Sequence, residues 1–319
     1  MTSKRMIPTL GTSLVLDRQG VKRSDEAYLA ALMARDDARF LVLADQKPVI
    51  RSNAARTEAS IRWLTRGDLE HAGLPMADAL FLGAERASGA GRFAISVTEH
   101  RTRHAPGAIE LLRPIVDLRT LAMQGVMNPD DLSLVAQAKA LSHWHEGHRC
   151  CGHCGGTTLV KDGGWKRKCW ACGQEHFPRT DPVVIMLVVA DDECLLGHEA
   201  RFSSDPKMYS TLAGFIEPGE DPEHAVRREV FEEAGIEVGD VKYHSAQPWA
   251  FPHSLMIGCV GYATTTTVTI DPAEIQEARW FHKDEVRHML AGTHPQRWWV
   301  PGKQAIARAL IQSFVDGDV

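Results

Sequence analysis

The sequence predicts an α/β protein, and three observations carry that reading. Short apolar runs bounded by Gly, Asp or charged residues recur along the chain as strands. Between two of them, near residue 222, lies a helix with marked ends, and a second amphipathic pattern closes the chain.

Taken in order, RFLVLAD, ALFLGAE and RFAISVTEH give a strand-rich α+β segment. NPDDLSLVAQAKALSHWHEGH then reads as a helix, with Asn128 as N-cap, Pro129 at the first position and acidic residues in the first turn. FPRTDP predicts a rigid turn, and VVIMLVVADDECLLGHEA a hairpin with Asp191 and Asp192 at its tip. YSTLAGFIE supplies a strand, MIGCVGYATTTT another with Thr264 to Thr267 as strand or strand edge, EIQEARWFHKDEV a strand running into a helix, and PGKQAIARALIQSFV the terminal helix. No internal repeat stands out. The expected divisions are 1–147, an α+β domain with its linking helix; 148–178, a ribbon; and 179–319, the α/β domain.

With 319 residues and 44% hydrophobic content, the chain can bury a large core in two or three units. A net charge of -5 argues against a general nucleic-acid binder relying on a basic surface. The N-terminal stretch lacks a signal peptide's apolar core, and the longest apolar run, Val183 to Ala190, is too short to span a bilayer. The expectation is a cytoplasmic protein with no membrane partner.

Seven cysteines suggest disulfides until their spacing is read. Cys151-x2-Cys154 and Cys169-x2-Cys172, fourteen residues apart, form paired knuckles joined by a short hairpin, the pattern of a four-thiolate zinc ribbon. Four thiolates close the coordination sphere, so the Zn²⁺ is expected to be structural. Cys150 is a bystander, Cys194 and Cys259 are small buried hydrophobes, and His143, His145, His148 and His153 are expected at the surface rather than on the metal.

The chemistry concentrates in GFIEPGEDPEHAVRREVFEEAGI, Gly214 to Ile236. Asp221 suits an N-cap, Pro222 a first helical position and Gly235 a C-terminal stop, giving a helix over Pro222 to Ala234. At about 100° per residue, Glu229, Glu232 and Glu233 share one face, with Val230, Phe231 and Ala234 opposite. Like charges at i, i+4 repel, and Arg228 offsets only part of this, so a hard divalent cation is the natural neutraliser.

The spacing resembles the box of the Nudix family, G-x5-E-x7-R-E-U-x-E-E-x-G-U with U aliphatic: Gly214, Glu220, Arg228, Glu229, Val230, Glu232, Glu233, Gly235 and Ile236 fill every fixed position. SAQPWAFPHS, downstream, resembles the S-Q-P-W-P-F-P-x-S motif of the NADH pyrophosphatase branch, which also carries a four-cysteine ribbon; this chain departs at Ala246 and Ala250. The resemblance implies an α/β/α sandwich with a mixed sheet. It implies an enzyme that hydrolyses the diphosphate of NADH or NAD to nicotinamide mononucleotide and AMP, and that acts on NAD-capped RNA. Glu229, Glu232 and Glu233, with Glu277, would hold Mg²⁺ or Mn²⁺; Arg228 would orient the glutamates, and Glu220 would support the loop or an outer metal. Phe177 and Phe215 would stack on nicotinamide, while Gln247, Trp249, Phe251 and Ser254 frame the base. A homodimer is implied. The competing readings are a Nudix hydrolase of ADP-ribose or a dinucleoside polyphosphate, and a non-catalytic zinc-ribbon nucleic-acid-binding protein.

Overall fold

The computed structural model describes residues 15–98, 111–199, 205–273 and 275–319, and these fall into two compact bodies. One runs to residue 179 and takes in residues 249–253; the other comprises 180–248 and 254–319. The α+β segment and the ribbon both lie in the first body.

That first body is built on a five-stranded sheet of β1 (Leu16–Asp17), β2 (Arg39–Ala44), β3 (Lys47–Pro48), β6 (Leu80–Glu85) and β7 (Gly91–Val97), ordered β1-β6-β7-β2-β3. A small hairpin of β4 (Ile50–Ser52) and β5 (Ala59–Ile61) stands beside it in the chain. Alternation sends Phe40, Val42, Phe81 and Phe93 to one side, under α1 (Glu26–Ala34) and α2 (Arg66–His71). Leu41, Leu43, Leu80 and Leu82 face the other, under α3 (Leu118–Gln124) and α4 (Pro129–Gly147). Because both faces are covered, the strands are nearly continuous apolar runs. The α4 N-cap is Asn128, as expected, its side chain accepting from the Asp131 N–H.

The ribbon is a three-stranded antiparallel sheet of β8 (Thr158–Lys161), β9 (Lys166–Cys169) and β10 (Glu175–His176). Trp165 donates its indole N–H to Phe81 O at 2.8 Å, tying the ribbon to the first body's sheet. His145, expected at the surface, is buried: its Nε2 lies 2.8 Å from Gly164 O and its Nδ1 accepts from Arg167 at 2.8 Å. Arg167 needs an acceptor because its strand turns it inward, and a neutral imidazole supplies one.

In the second body β11 (Asp181–Ala190) and β12 (Glu193–His198) form the expected hairpin, with Asp191 at its turn. β11 runs parallel to β15 (Ser254–Ala263) and antiparallel to β13 (Leu212–Phe215); β14 (Val238–Trp249) lies beyond β15, and β16 (Glu277–His282) pairs with β12. The mixed sheet is packed between α5 (Pro222–Ala234) on one face and α6 (Lys283–Ala291) with α7 (Ile306–Asp316) on the other, the sandwich implied by the sequence. Two local expectations fail. FPRTDP has no assigned turn, its last two residues already belonging to β11, which starts at Asp181, and Thr264–Thr267 lies beyond β15, which ends at Ala263.

The two sheets share a plan. β2 with β3, parallel β7 and then β6 repeats the order of β11 with β12, parallel β15 and then β14. RGDLEHAGL (66–74), around α2, also matches REVFEEAGI (228–236), around α5, in its Arg, second Glu, Ala-Gly and aliphatic positions. Each helix pairs that Arg with that Glu, Arg66 with Glu70 at 2.7 Å and Arg228 with Glu232 at 3.0 Å, and each segment has its glycine at positive φ. An internal repeat is therefore present. In the first copy Gly67 and His71 stand where Glu229 and Glu233 stand in the second, which removes two of the three acidic groups.

Candidate active site and zinc centre

The loop and helix that carry the box form as the sequence predicts, with Asp221 accepting from the His224 N–H and Gly235 closing α5 at φ 68°. The facing does not. Ala225, Val226, Val230 and Ala234 make the buried stripe, while Phe231 is 57% exposed. Phe231 is about 100° beyond Val230 and leaves the stripe, whereas Glu229 and Glu233 fall within the packed arc on the i, i+4 ladder from Ala225. Both are half-buried, and Glu232 is exposed.

Glu229 is set against the backbone of β13. A Cβ built on Gly214 would lie 1.8 Å from Glu229 Cδ and about as close to both carboxylate oxygens, so the first position of the box admits no side chain.

Arg228 is the hub of the remaining acids. Its Nε and Nη2 bond the two oxygens of Glu220 at 2.7 and 2.8 Å, its Nη1 reaches Glu229 at 2.8 Å and Glu232 at 3.0 Å, and Nη2 also donates to Phe215 O. The planar fork suits such a bridge. The hydrogen bonds from Arg228, together with the Glu217 N–H, hold Glu220 down to about 2, and those same carboxylates push the guanidinium further above its usual range. Glu220 thereby ties down the loop that leads into α5.

Glu277 starts β16 and is ion-paired with Lys207. Burial alone would raise its carboxyl, but the hydrogen bond and charge of Lys207 outweigh it and hold the group below the ordinary range. Lys207 was not visible in the sequence, where a lone lysine in a loop has no pattern to mark it.

Among the candidate base-binding residues, Phe215 and Phe177 are 59% and 63% exposed. Gln247 is fully buried and acts as a brace: its amide donates to Gln304 O and accepts from the Ile306 N–H, fixing the first turn of α7. Trp249 and Phe251 are half-buried, edge to face at 5.0 Å, and pack on the first body's core beside buried Ala250, with Arg119 over the Phe251 ring. Ser254 opens β15 opposite Asp181.

The four ribbon cysteines have sulfurs all within 4.8 Å of one another, with Cys151 to Cys172 at 3.8 Å and Cys154 to Cys169 at 3.5 Å. Tetrahedral zinc with Zn–S near 2.3 Å requires S to S separations of about 3.8 Å, so the set fits Zn²⁺. The Cys172 and Ala171 N–H groups lower the Cys169 thiol to about 6, favouring the ligating thiolate, and His153 N–H donates to Cys151 Sγ. Among the described residues this is the only group of three or more Cys, His, Asp or Glu side chains so gathered. The glutamates of α5 are hard oxygen donors of the type Mg²⁺ or Mn²⁺ takes, with Glu229 and Glu232 drawn to Arg228.

A mixed-sheet sandwich with a complete box on its loop and helix defines a Nudix domain. The family model described as NUDIX domain matches residues 179–301, the NADH pyrophosphatase-like rudimentary NUDIX domain matches 37–144, and the NADH pyrophosphatase zinc ribbon domain matches 147–177. Over 319 aligned residues the chain is 34% identical to NAD-capped RNA hydrolase NudC of Mycobacterium bovis, covering 94% of each. It is 38% identical to human NAD(P)H pyrophosphatase NUDT13, mitochondrial, covering 70% of this chain and 65% of that one. It is 44% identical to human NAD-capped RNA hydrolase NUDT12 over 195 residues, 58% of this chain and 42% of that one, so it spans less than half the length of that relative. The chain belongs to the Nudix hydrolase family, in the branch that joins a rudimentary Nudix domain, a zinc ribbon and a full Nudix domain. The rudimentary match covers the first of the two repeated sheets. No described helix is long and apolar enough to cross a membrane.

Proposed function

We propose that this chain hydrolyses the central diphosphate of NADH or NAD, giving nicotinamide mononucleotide and AMP, and that it removes the same group from the 5′ end of NAD-capped RNA. The observation that carries the proposal is Glu229 seated against Gly214 at the head of a complete box, in a chain that also has the branch's ribbon. The names of the relatives support the choice of substrate.

Hydrolysis adds one water across P–O–P: its oxygen goes to one phosphorus, the bridging oxygen leaves with the other, and the proton released by the water passes to a carboxylate. Glu229, Glu232 and Glu233, with Glu277, would hold Mg²⁺ or Mn²⁺. When bound, the cation neutralises the diphosphate and lowers the pKa of water. Arg228 keeps the carboxylates mutually oriented, and Glu220 anchors Arg228 and the loop. The base is one of the box glutamates or Glu277; closely packed carboxylates share their titration. Phe215 and Phe177 offer exposed rings for the nicotinamide, while Trp249 and Phe251 shape the base site from a packed position, with Gln247 and Ser254 supporting it. The family resemblance supports a homodimer working in the cytoplasm.

The test separates products after incubation with NADH, NAD, ADP-ribose and an NAD-capped RNA in Mg²⁺ or Mn²⁺, beside a Glu232→Gln control. Reduced nicotinamide mononucleotide plus AMP from NADH, absent in the control, is the expected result. Preference for ADP-ribose reassigns the substrate, and survival of every substrate rejects hydrolysis.

A further inference from the structure

The ribbon has an outer face that its zinc does not use. Along β8 and β9, Thr158, Arg167 and Cys169 are buried, while Leu159 and Lys168, cross-strand partners, are exposed on the opposite side. The same alternation places Thr157, Lys161, Lys166 and Trp170 with them, and the Trp170 N–H donates to Thr157 O in continuation of the ladder. Trp170 is 79% exposed and Leu159 is 51% exposed. A tryptophan left in water on a sheet face is a feature that marks a binding surface.

Charge says what kind of partner. Residues 147–177 carry Arg149, Lys161, Lys166, Arg167 and Lys168 against Asp162 and Glu175, and although Zn²⁺ on four thiolates is itself net negative, the segment keeps a slight positive balance inside a chain of net charge -5. Lys161 is paired with Glu26, and Lys166 with Asp162 and Glu175. Lys168, exposed with Leu159 opposite it on β8 and Glu175 opposite it on β10, forms no ion pair among the described residues, because Glu175 is taken by Lys166. A flat ring beside an unpaired lysine matches the two needs of single-stranded RNA, a surface for a base and a cation for phosphate. A symmetric contact with a second copy would set these lysines facing one another.

We infer that this outer face binds the RNA chain of a capped substrate, with a base stacked on Trp170 and a phosphate at Lys168. The inference rests on capped RNA being a substrate and adds where its RNA portion is held; free NADH carries no RNA to bind there.

The experiment uses the full chain loaded with zinc, and Trp170→Ala and Lys168→Glu variants whose zinc content confirms an intact ribbon. Fluorescence anisotropy with an uncapped single-stranded RNA measures the face directly; kcat/KM for NADH and for NAD-capped RNA measures its use. Each variant is expected to weaken RNA binding about tenfold and to lower kcat/KM for capped RNA in proportion, with NADH turnover unchanged. Unchanged RNA binding overturns the inference, as does an equal fall on both substrates. Loss of a dimer in the variants, seen by sedimentation, also overturns it and assigns the face to a second copy. If wild-type protein hydrolyses nothing, the function reading fails while the anisotropy arm still decides the face.

Discussion

Gly214 shows how a motif position can be a statement about space. Its conservative replacement, Gly214→Ala, would put a methyl into the Glu229 carboxylate, so the glutamate must swing away. A displacement on the order of 1 Å can cost about a hundredfold in rate. The expected outcome is that loss in kcat/KM for NADH, with an unchanged circular dichroism melt. Arg228 makes a similar point through charge. Arg228→Lys retains one positive charge but cannot bridge Glu220, Glu229 and Glu232 at once, and it should lower kcat more than it raises KM in steady-state assays. Both residues were readable because the box fixes them by spacing. Lys207 was not, since its tie to Glu277 spans seventy residues of chain.

The helix α5 was legible end to end because its caps are local chemistry. Asp221 satisfies an orphan N–H and Gly235 takes a left-handed turn that would bring any Cβ to 3.1 Å from Thr269. Gly235→Ala should destabilise the protein by about 1–2 kcal/mol in urea unfolding. Which way the helix faces was less legible. Helical periodicity set Phe231 with Val230 and Ala234 on the apolar face, and only the sheet the helix packs on places Glu229 and Glu233 at the edge of the buried stripe.

The junction of α4 with the ribbon hides a pH dependence that no pattern announced. Burial is the main cause that lowers His145 to about 4, outweighing its hydrogen bond to Gly164 O, and the Arg167 charge adds to the fall. A histidine held neutral in the fold makes the unfolded state bind more protons below its ordinary pKa near 6.5. Stability is therefore complete above that pH and falls as pH drops toward 4, by up to about 3 kcal/mol. His145→Gln should lower stability at pH 7.5 and flatten that slope, as followed by thermal melts from pH 7.5 to 4.

Across the chain, the structure joins the ribbon to the N-terminal sheet as one body, which makes zinc part of that body's stability. Cys169→Ser should abolish zinc retention in metal analysis and lower the unfolding temperature, because metal binding free energy is folding free energy. The repeated sheet escaped the sequence reading for a definite reason. Its first copy has lost the acids that make the box recognisable and kept Arg66, Glu70 and Gly73, which serve the fold. Local spacing was enough for the box, the knuckles and the helix caps, since each is set by a few residues close in sequence, and the sandwich followed from the family resemblance the box carries. Three things were decided only when distant segments met: the Gly214 backbone against Glu229, Trp249 and Phe251 packed on the first body's core, of which they are part, and Trp170 left outside on its sheet face. Exposure depends on what the rest of the chain brings alongside, and spacing carries no information about that.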